Sequence, residues 1–86
     1  MSENIIKTKS FSFALRIVKL FQFLNQEKKE YDLSKQLLRS GTTIGALVRE
    51  SEQAESKLDF IHKLAIAQKE ANESDYWLEV LFQSAC

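Results

Sequence analysis

The chain has 86 residues, of which 44% are hydrophobic and 28% charged, and these proportions are typical of one small globular domain. Because it has no proline and only two glycines, it lacks the turn residues that sheet proteins need, and we expect an all-α fold. Twelve basic and twelve acidic residues give a formal net charge of zero, which excludes the strongly basic composition of many nucleic-acid-binding domains and favours self-association.

The charges are unevenly distributed along the chain. Residues 1–26 carry four basic residues and one acidic residue, whereas residues 57–86 carry three basic and five acidic residues. A positive first segment and a negative last segment suit antiparallel packing or a contact between subunits. The alternative is that both charged sets belong to ordinary solvated faces.

The sequence shows no pattern of a signal peptide or of a membrane span. The first ten residues lack the apolar core of a signal peptide, and no apolar run approaches the roughly 20 residues that span a membrane. The single cysteine, Cys86, is the last residue, so no disulfide can form within the chain. We therefore expect a cytoplasmic protein with no membrane partner.

Apolar residues recur with a helical period in three segments of a single predicted domain, residues 1–86. The predicted helices cover about residues 10–27, 33–53 and 57–83. Ser10 and Asp32 are suitable N-caps for the first two helices. Ser56 followed by Asp59 is a variant of the capping box before the third helix. Residues 1–9 are polar, and we expect them to be frayed.

The second predicted helix contains both glycines, Gly41 and Gly45, on its apolar face. Glycine in a helix interior costs about 1 kcal/mol relative to alanine, so a pair on the packed face indicates close approach of a neighbouring helix. The opposite face carries short residues at its middle, notably Thr43 and Ala46. These would admit another backbone, and we take both as candidates for a subunit interface.

The third predicted helix carries two apolar stripes about 130° apart around its axis, so it should contact two neighbours. The main stripe consists of Phe60, Leu64, Ala67, Ala71, Leu78, Leu81 and Phe82. The weaker stripe consists of Leu58, Ile61, Ala65, Tyr76 and Val80. Trp77 lies outside both stripes, where an exposed indole is a candidate for a subunit interface together with Tyr76.

The sequence offers no set of residues for catalysis or metal binding. A di-metal site in a helical bundle needs several histidines and glutamates, whereas this chain has one histidine, His62, with Asp59 one turn before it. The two glycines lie within a helix and cannot form a phosphate-binding loop. We therefore expect a protein that is not an enzyme and that has no cofactor, metal or small-molecule ligand.

Four ordered blocks resemble a known bacterial family: residues 37–46 (LLRSGTTIGA), 59–67 (DFIHKLAIA), 69–71 (KEA) and 76–78 (YWL). The family is that of the 23S ribosomal RNA intervening-sequence proteins. The resemblance implies an antiparallel up-down four-helix bundle that assembles into rings of five subunits, with no established catalytic residues. A related branch serves as accessory protein to the reverse transcriptase of retroelements and binds nucleic acid through a basic surface.

The chain departs from the family pattern at two places. Leu47 stands where the family usually has asparagine, and the fourth helix that usually follows the YWL block is missing. Relative to the family the chain is therefore expected to be truncated at its C-terminus, with three helices of a four-helix-bundle pattern. Either it is a truncated gene product, or another subunit covers the groove that the fourth helix would fill.

Two functional hypotheses follow. The first is a non-enzymatic interaction module that self-associates as a homo-oligomer. The alternative is an RNA- or DNA-binding accessory protein, with Arg16, Lys19, Lys35, Arg39 and Arg49 as candidate contacts. Arg39 has a competing structural role, an ion pair with Glu70 or Glu73 of the third helix.

Overall fold

The computed structural model describes residues 2–84, with side chains from residue 5 onward, and every regular element in this range is an α-helix. The helices are α1 (Ser2–Gln26), α2 (Asp32–Ser51) and α3 (Lys57–Ser84). The predicted all-α bundle is therefore confirmed. None of these three helices is long and apolar enough to cross a membrane.

Helix α1 packs antiparallel to α2. At one end, Lys7 of α1 forms an ion pair with Glu52, just beyond α2, with 3.3 Å between Nζ and Oε1. At the other end, Asn25 donates a hydrogen bond of 3.4 Å to the Ser34 hydroxyl. The last turn of α1 therefore lies beside the first turn of α2.

Helix α3 packs antiparallel to α2 along a second line. Lys63 pairs with Glu50 at 3.3 Å, and eleven residues further along α3 Ser74 donates a hydrogen bond of 2.9 Å to Ser40. Within the described residues no Cα atom of α1 lies within 8 Å of a Cα atom of α3. Helix α2 is thus the shared neighbour, and α1 and α3 run parallel to each other on either side of it.

The first helix begins eight residues earlier than the sequence predicts. It starts at Ser2, so Ser10 is not an N-cap but an internal residue whose hydroxyl donates to the carbonyl oxygen of Lys7 at 3.2 Å. Frayed residues at 1–9 were expected because they are polar. Tertiary contacts with the far end of α2, among them the Lys7–Glu52 ion pair, stabilise this segment instead.

The residue that caps α2 differs from the predicted one. Tyr31 occupies the N-cap position and forms no side-chain cap, and Asp32 is already helical. The carboxylate of Glu30 instead accepts hydrogen bonds from the amides of Leu33 and Ser34, at 3.0 and 2.8 Å. Glu30 performs this role because its longer side chain reaches forward over the first turn.

The predicted capping box at α3 is present in a modified form. The Ser56 hydroxyl accepts a hydrogen bond of 3.0 Å from the Asp59 amide, as predicted. The Asp59 carboxylate returns to the amide of Glu55 at 3.1 Å, one residue before the usual partner. Helix α3 therefore begins within one residue of the predicted position.

The core follows the two lines along which α2 contacts its neighbours. Its buried apolar side chains are Ile17, Leu37, Leu47, Val48 and Ala67. Four serines are buried among them: Ser34, Ser40, Ser51 and Ser74. Small side chains let the helix axes approach closely, and each hydroxyl has a hydrogen-bond partner.

Candidate interaction surfaces

The two glycines of α2 lie where α1 crosses it. A Cβ atom built on Gly41 would lie 2.9 Å from Cγ1 of Ile17, closer than real Cβ contacts. A Cβ atom on Gly45 would lie 3.4 Å from the backbone oxygen of Ser10, which is an ordinary van der Waals distance. The close approach that the glycine pair predicts is thus present on the α1 side, and it is tightest at Gly41.

Arg39 lies between two carboxylates of α3. Its guanidinium donates to Glu70 at 3.1 Å and also to Glu73, whose carboxylate accepts a further hydrogen bond of 3.0 Å from the Trp77 indole. The Trp77 hydrogen bond, then that of Arg39, holds the pKa of Glu73 below its usual range. The hydrogen bond to Glu73 raises the pKa of Arg39. The structural role considered for Arg39 is therefore observed, with both predicted acids.

The five basic candidates do not form one surface. Arg39 points to α3, whereas Arg49 lies over the ring of Phe11 on α1, with 5.1 Å between Cζ and the ring centroid. Lys35 lies 5.2 Å over the ring of Tyr31 at the start of α2.

Arg16 and Lys19 are exposed on α1 and form no ion pair within residues 2–84. Among the five candidates, the two on α1 are therefore the ones without an ion pair in the described residues.

An apolar groove separates α1 from α3, and we call it the α1/α3 groove. It contains two open cavities of about 480 and 460 Å³. Its walls include Ile5, Ile6, Phe13, Leu20 and Phe23 of α1, and Ala71, Leu78, Leu81 and Phe82 of α3, with Ile44 of α2 between them. Most of the main stripe of α3 thus borders this groove instead of a closed core, and Phe82 is 80% exposed.

The weaker stripe of α3 faces away from both α2 and the groove. Four of its five residues, Leu58, Ile61, Ala65 and Tyr76, are exposed, and we call these four the outer α3 stripe, whereas Val80 is half-buried. Leu58 is 79% exposed and Tyr76 is 58% exposed. Helix α3 therefore presents apolar side chains to solvent on two of its sides.

The remaining interface candidates differ in accessibility. Trp77 is predicted to be exposed but is half-buried, because its indole lies over the preceding turn of α3 toward Glu73 and against the ring of Tyr76. Thr43 is half-buried, and its hydroxyl donates to the carbonyl oxygen of Arg39 at 2.6 Å. Ala46 is exposed.

The titratable residues considered for metal binding remain separate. His62 is exposed on α3, and Asp59 is engaged in the cap described above. Within residues 2–84 no group of three or more histidine, cysteine, aspartate or glutamate side chains could hold a metal ion. Cys86 lies outside the described residues.

Three helices in an up-down-up arrangement, with apolar side chains exposed along α1 and α3, define a small helical bundle protein. Residues 2–86 match the family model of the 23S rRNA-intervening sequence protein, and the chain belongs to that family.

A solved structure agrees with this assignment. It is that of a protein of unknown function from the S23 ribosomal protein family of Bacteroides thetaiotaomicron VPI-5482. It is 60% identical to this chain, with a TM-score of 0.96, and the match covers 98% of this chain and 75% of that one. A comparison with curated proteins gave no match.

Proposed function

We propose that this chain is a non-enzymatic helical interaction module that self-associates. The observation that supports the proposal is the exposure of apolar side chains on two sides of α3, in the α1/α3 groove and along the outer α3 stripe. Contiguous apolar patches beyond a few hundred Å² are uncommon on soluble monomers and usually mark contact surfaces.

The large apolar side chains in these patches can supply free energy for association. Burying a Leu, Ile or Phe side chain contributes about 1.5–3 kcal/mol, so two or three such residues can offset much of the cost of association. Leu58 and Phe82 are nearly fully exposed in the single chain. A formal net charge of zero adds no long-range repulsion between copies.

Sedimentation velocity over about 1–100 µM protein tests the proposal, because a self-associating chain increases its average mass with concentration. We expect a species larger than the 9.9 kDa chain at the upper concentrations. A single species of monomer mass across the range would overturn the proposal.

A second candidate function is binding of RNA or DNA as an accessory protein. The observation that favours it is the pair of exposed basic residues, Arg16 and Lys19, which have no ion pair among residues 2–84. Arg39 is a weaker candidate than Arg16 and Lys19, because Glu70 and Glu73 already neutralise its charge.

Retardation of labelled RNA and DNA tests this second function. Binding must weaken steeply between about 50 and 200 mM salt, since phosphate contacts release counterions. The double substitution Arg16→Gln, Lys19→Gln should abolish binding, whereas Lys57→Gln, Lys69→Gln removes the same charge from α3 and should leave most of it. Equal losses in both variants would indicate a nonspecific charge effect and count against this function.

A further inference from the structure

We propose that copies of this chain associate head to tail, with the outer side of α1 in one copy against the outer α3 stripe of the next. The inference rests on the proposed self-association and names the two surfaces that carry it. We call Leu15, Arg16 and Lys19, which are all exposed, the outer α1 face. Residues of this face and of the outer α3 stripe line neither cavity of the α1/α3 groove.

Both surfaces lie on the far side of their helix from α2. Leu15 is two positions before the buried Ile17, and Tyr76 is two positions after the buried Ser74. Residues two positions apart point to nearly opposite sides of an α-helix. Because Ile17 and Ser74 contact α2, Leu15 and Tyr76 face away from it and are available to another copy.

The two surfaces lie at the same level along the bundle. Ile17 packs at Gly41, and Ser74 bonds to the adjacent Ser40. Helices α1 and α3 run parallel to each other, so the segments around Ile17 and Ser74 stay level over several turns. A rotation axis parallel to the helices preserves this level from one copy to the next.

The charges on the two surfaces are opposite. Arg16 and Lys19 form no ion pair within residues 2–84, and neither do Asp75 and Glu79, which flank the outer α3 stripe. Contact between the two unlike surfaces brings the basic pair beside the acidic pair. Contact between two α1 faces or two α3 stripes would instead oppose like charges. The charges therefore favour a head-to-tail contact over a symmetric one.

The charged and apolar residues also match from side to side. Asp75 lines the α1/α3 groove, and Arg16 follows the groove residue Lys9 by two helical turns, so both lie on the groove side of their surfaces. Leu15 and Tyr76 lie further from the groove. Rotation about a parallel axis keeps the grooves of neighbouring copies on the same side. The contact thus places Arg16 beside Asp75 and Leu15 beside Tyr76.

The angle between the two surfaces favours a closed ring. Gly41 faces α1, and the adjacent Ser40 faces α3. Consecutive residues point about 100° apart around a helix axis, so α1 and α3 lie in directions about 100° apart from α2. Copies joined through surfaces at this angle turn by about 80° at each contact, and the assembly closes after about four or five copies.

The available area is sufficient for a specific contact. A face of 45 by 16 Å has a projected area of about 700 Å² per copy, so one contact buries up to about 1,400 Å², within the range of specific interfaces. Phe11, one turn before Leu15 and also 49% exposed, extends the apolar part of the α1 side. Each exposed charge pair adds little affinity but helps to select the orientation.

The test compares one substitution on each surface with one outside both. Leu15→Glu alters the outer α1 face and Tyr76→Glu the outer α3 stripe, and both side chains are about half exposed, so the helices should form normally. The matched control is Phe82→Glu, at an 80% exposed residue that lines the α1/α3 groove. Circular dichroism checks helicity, and sedimentation velocity gives the mass of the assembly and the concentration at which half of the chains are assembled.

We expect an assembly of more than two copies. Its half-assembly concentration should rise at least tenfold in both test variants and stay within about twofold in the control. Charge reversal gives a second readout. Arg16→Glu and Asp75→Lys should each raise this concentration about threefold, and the double reversal should restore it. Lys35→Glu, which makes the same charge change as Arg16→Glu at an exposed position of α2, should leave it within about twofold.

Each other outcome overturns the contact. An assembly that tolerates Leu15→Glu and Tyr76→Glu, or that responds equally to Phe82→Glu, would leave self-association standing and refute these surfaces. A dimer would refute the head-to-tail arrangement. A double reversal no better than the single ones would refute the pairing of Arg16 with Asp75. A monomer throughout would refute both the surfaces and the proposed self-association.

Discussion

A Cβ atom on Gly41 would lie 2.9 Å from Cγ1 and 3.1 Å from Cγ2 of Ile17, so the missing side chain is what lets Ile17 insert against α2. Ile17 is only 3% exposed and is the one buried large side chain that α1 contributes to the core in the described residues. The glycine and the isoleucine therefore form one complementary contact, and the contact sets the distance between α1 and α2.

This contact predicts opposite effects of alanine at the two glycines. Gly41→Ala forces Ile17 to move, and we expect the free energy of unfolding to fall by about 1–2 kcal/mol, since overpacking exceeds the gain in helix propensity. The added methyl group of Gly45→Ala meets only an ordinary van der Waals contact, so this substitution should raise the free energy of unfolding by up to about 1 kcal/mol. Urea unfolding at one fixed protein concentration measures both.

Two controls accompany this pair. In an Ile17→Ala background, which removes both Cγ atoms, Gly41→Ala should cost nothing further. Gly41→Leu and Gly45→Leu should each destabilise by about 1–3 kcal/mol, because the leucine at Gly45 would meet the Ser10 backbone. Equal stability of Gly41→Ala and Gly45→Ala would contradict the packing described at Ile17.

A second prediction concerns the buried serines between α2 and α3. The Ser74 hydroxyl has Ser40 as its partner, whereas the Ser40 hydroxyl also donates to the Leu37 carbonyl oxygen at 3.4 Å. Ser40→Ala should therefore cost about 1 kcal/mol and Ser74→Ala less, because only the first leaves a buried hydroxyl unpaired.

The double variant tests whether the cost of Ser40→Ala comes from the unpaired Ser74 hydroxyl or from lost packing. Ser40→Ala with Ser74→Ala removes both hydroxyls and should be more stable than Ser40→Ala alone. Chemical unfolding of the three variants provides the comparison. If the double variant loses as much stability as the two single variants together, the Ser74–Ser40 hydrogen bond does not account for the cost of Ser40→Ala.

Much of this arrangement could be predicted from the sequence, because the features involved are local or periodic. The helical period identifies three helices, and the glycine pair identifies the face of α2 that a neighbouring helix approaches, which the structure shows to be α1. The acids of α3 near Arg39 lie one turn apart, so either could be named as a partner, and the structure shows that both are used.

The parts that could not be predicted depend on contacts between distant residues. The first turns of α1 contain few apolar residues, and Lys7 finds its partner, Glu52, 45 residues away. A serine counts as polar in any hydropathy pattern, yet Ser40 and Ser74 are buried because they are small and bond to each other. The main stripe of α3 predicts an apolar neighbour but does not identify it. In the structure most of this stripe borders the open α1/α3 groove.

A third prediction follows from the lowered pKa of Glu73. A carboxyl group whose pKa is lower in the folded than in the unfolded state stabilises the fold above its unfolded pKa, and the contribution is lost as the pH falls through the folded pKa. The stability difference between the native chain and Glu73→Gln should therefore be largest near neutral pH and shrink progressively below about pH 4.5. Urea unfolding between pH 7 and 3 measures it.

Trp77→Phe gives an independent readout of the same carboxyl group. Removing the indole hydrogen bond should move the pKa of Glu73 up toward its usual value, as followed by NMR titration. Glu27→Gln is the matched control for Glu73→Gln, because Glu27 is exposed and forms no ion pair within residues 2–84. A pH dependence as large in the control would refute the assignment to the Arg39–Glu73–Trp77 cluster.

The last prediction concerns the turn between α1 and α2. Lys29 has φ of 58°, in the left-handed region that an L-residue adopts at a cost of about 1–2 kcal/mol, and this conformation lets the Glu30 amide reach the carbonyl oxygen of Leu24 at 3.0 Å. Lys29→Gly removes the steric cost but increases the entropy of the unfolded chain, so we expect a net gain of about 0.5 kcal/mol.

The neighbouring Lys28 supplies the control, because among the described non-glycine residues only Lys29 has a positive φ. Lys28→Gly removes the same charge and adds the same unfolded-state entropy without relieving strain, so it should destabilise by about 0.5–1 kcal/mol. Thermal unfolding of the two variants under identical conditions compares them directly. If Lys29→Gly is no more stable than Lys28→Gly, the left-handed conformation at Lys29 does not carry the steric cost assigned to it.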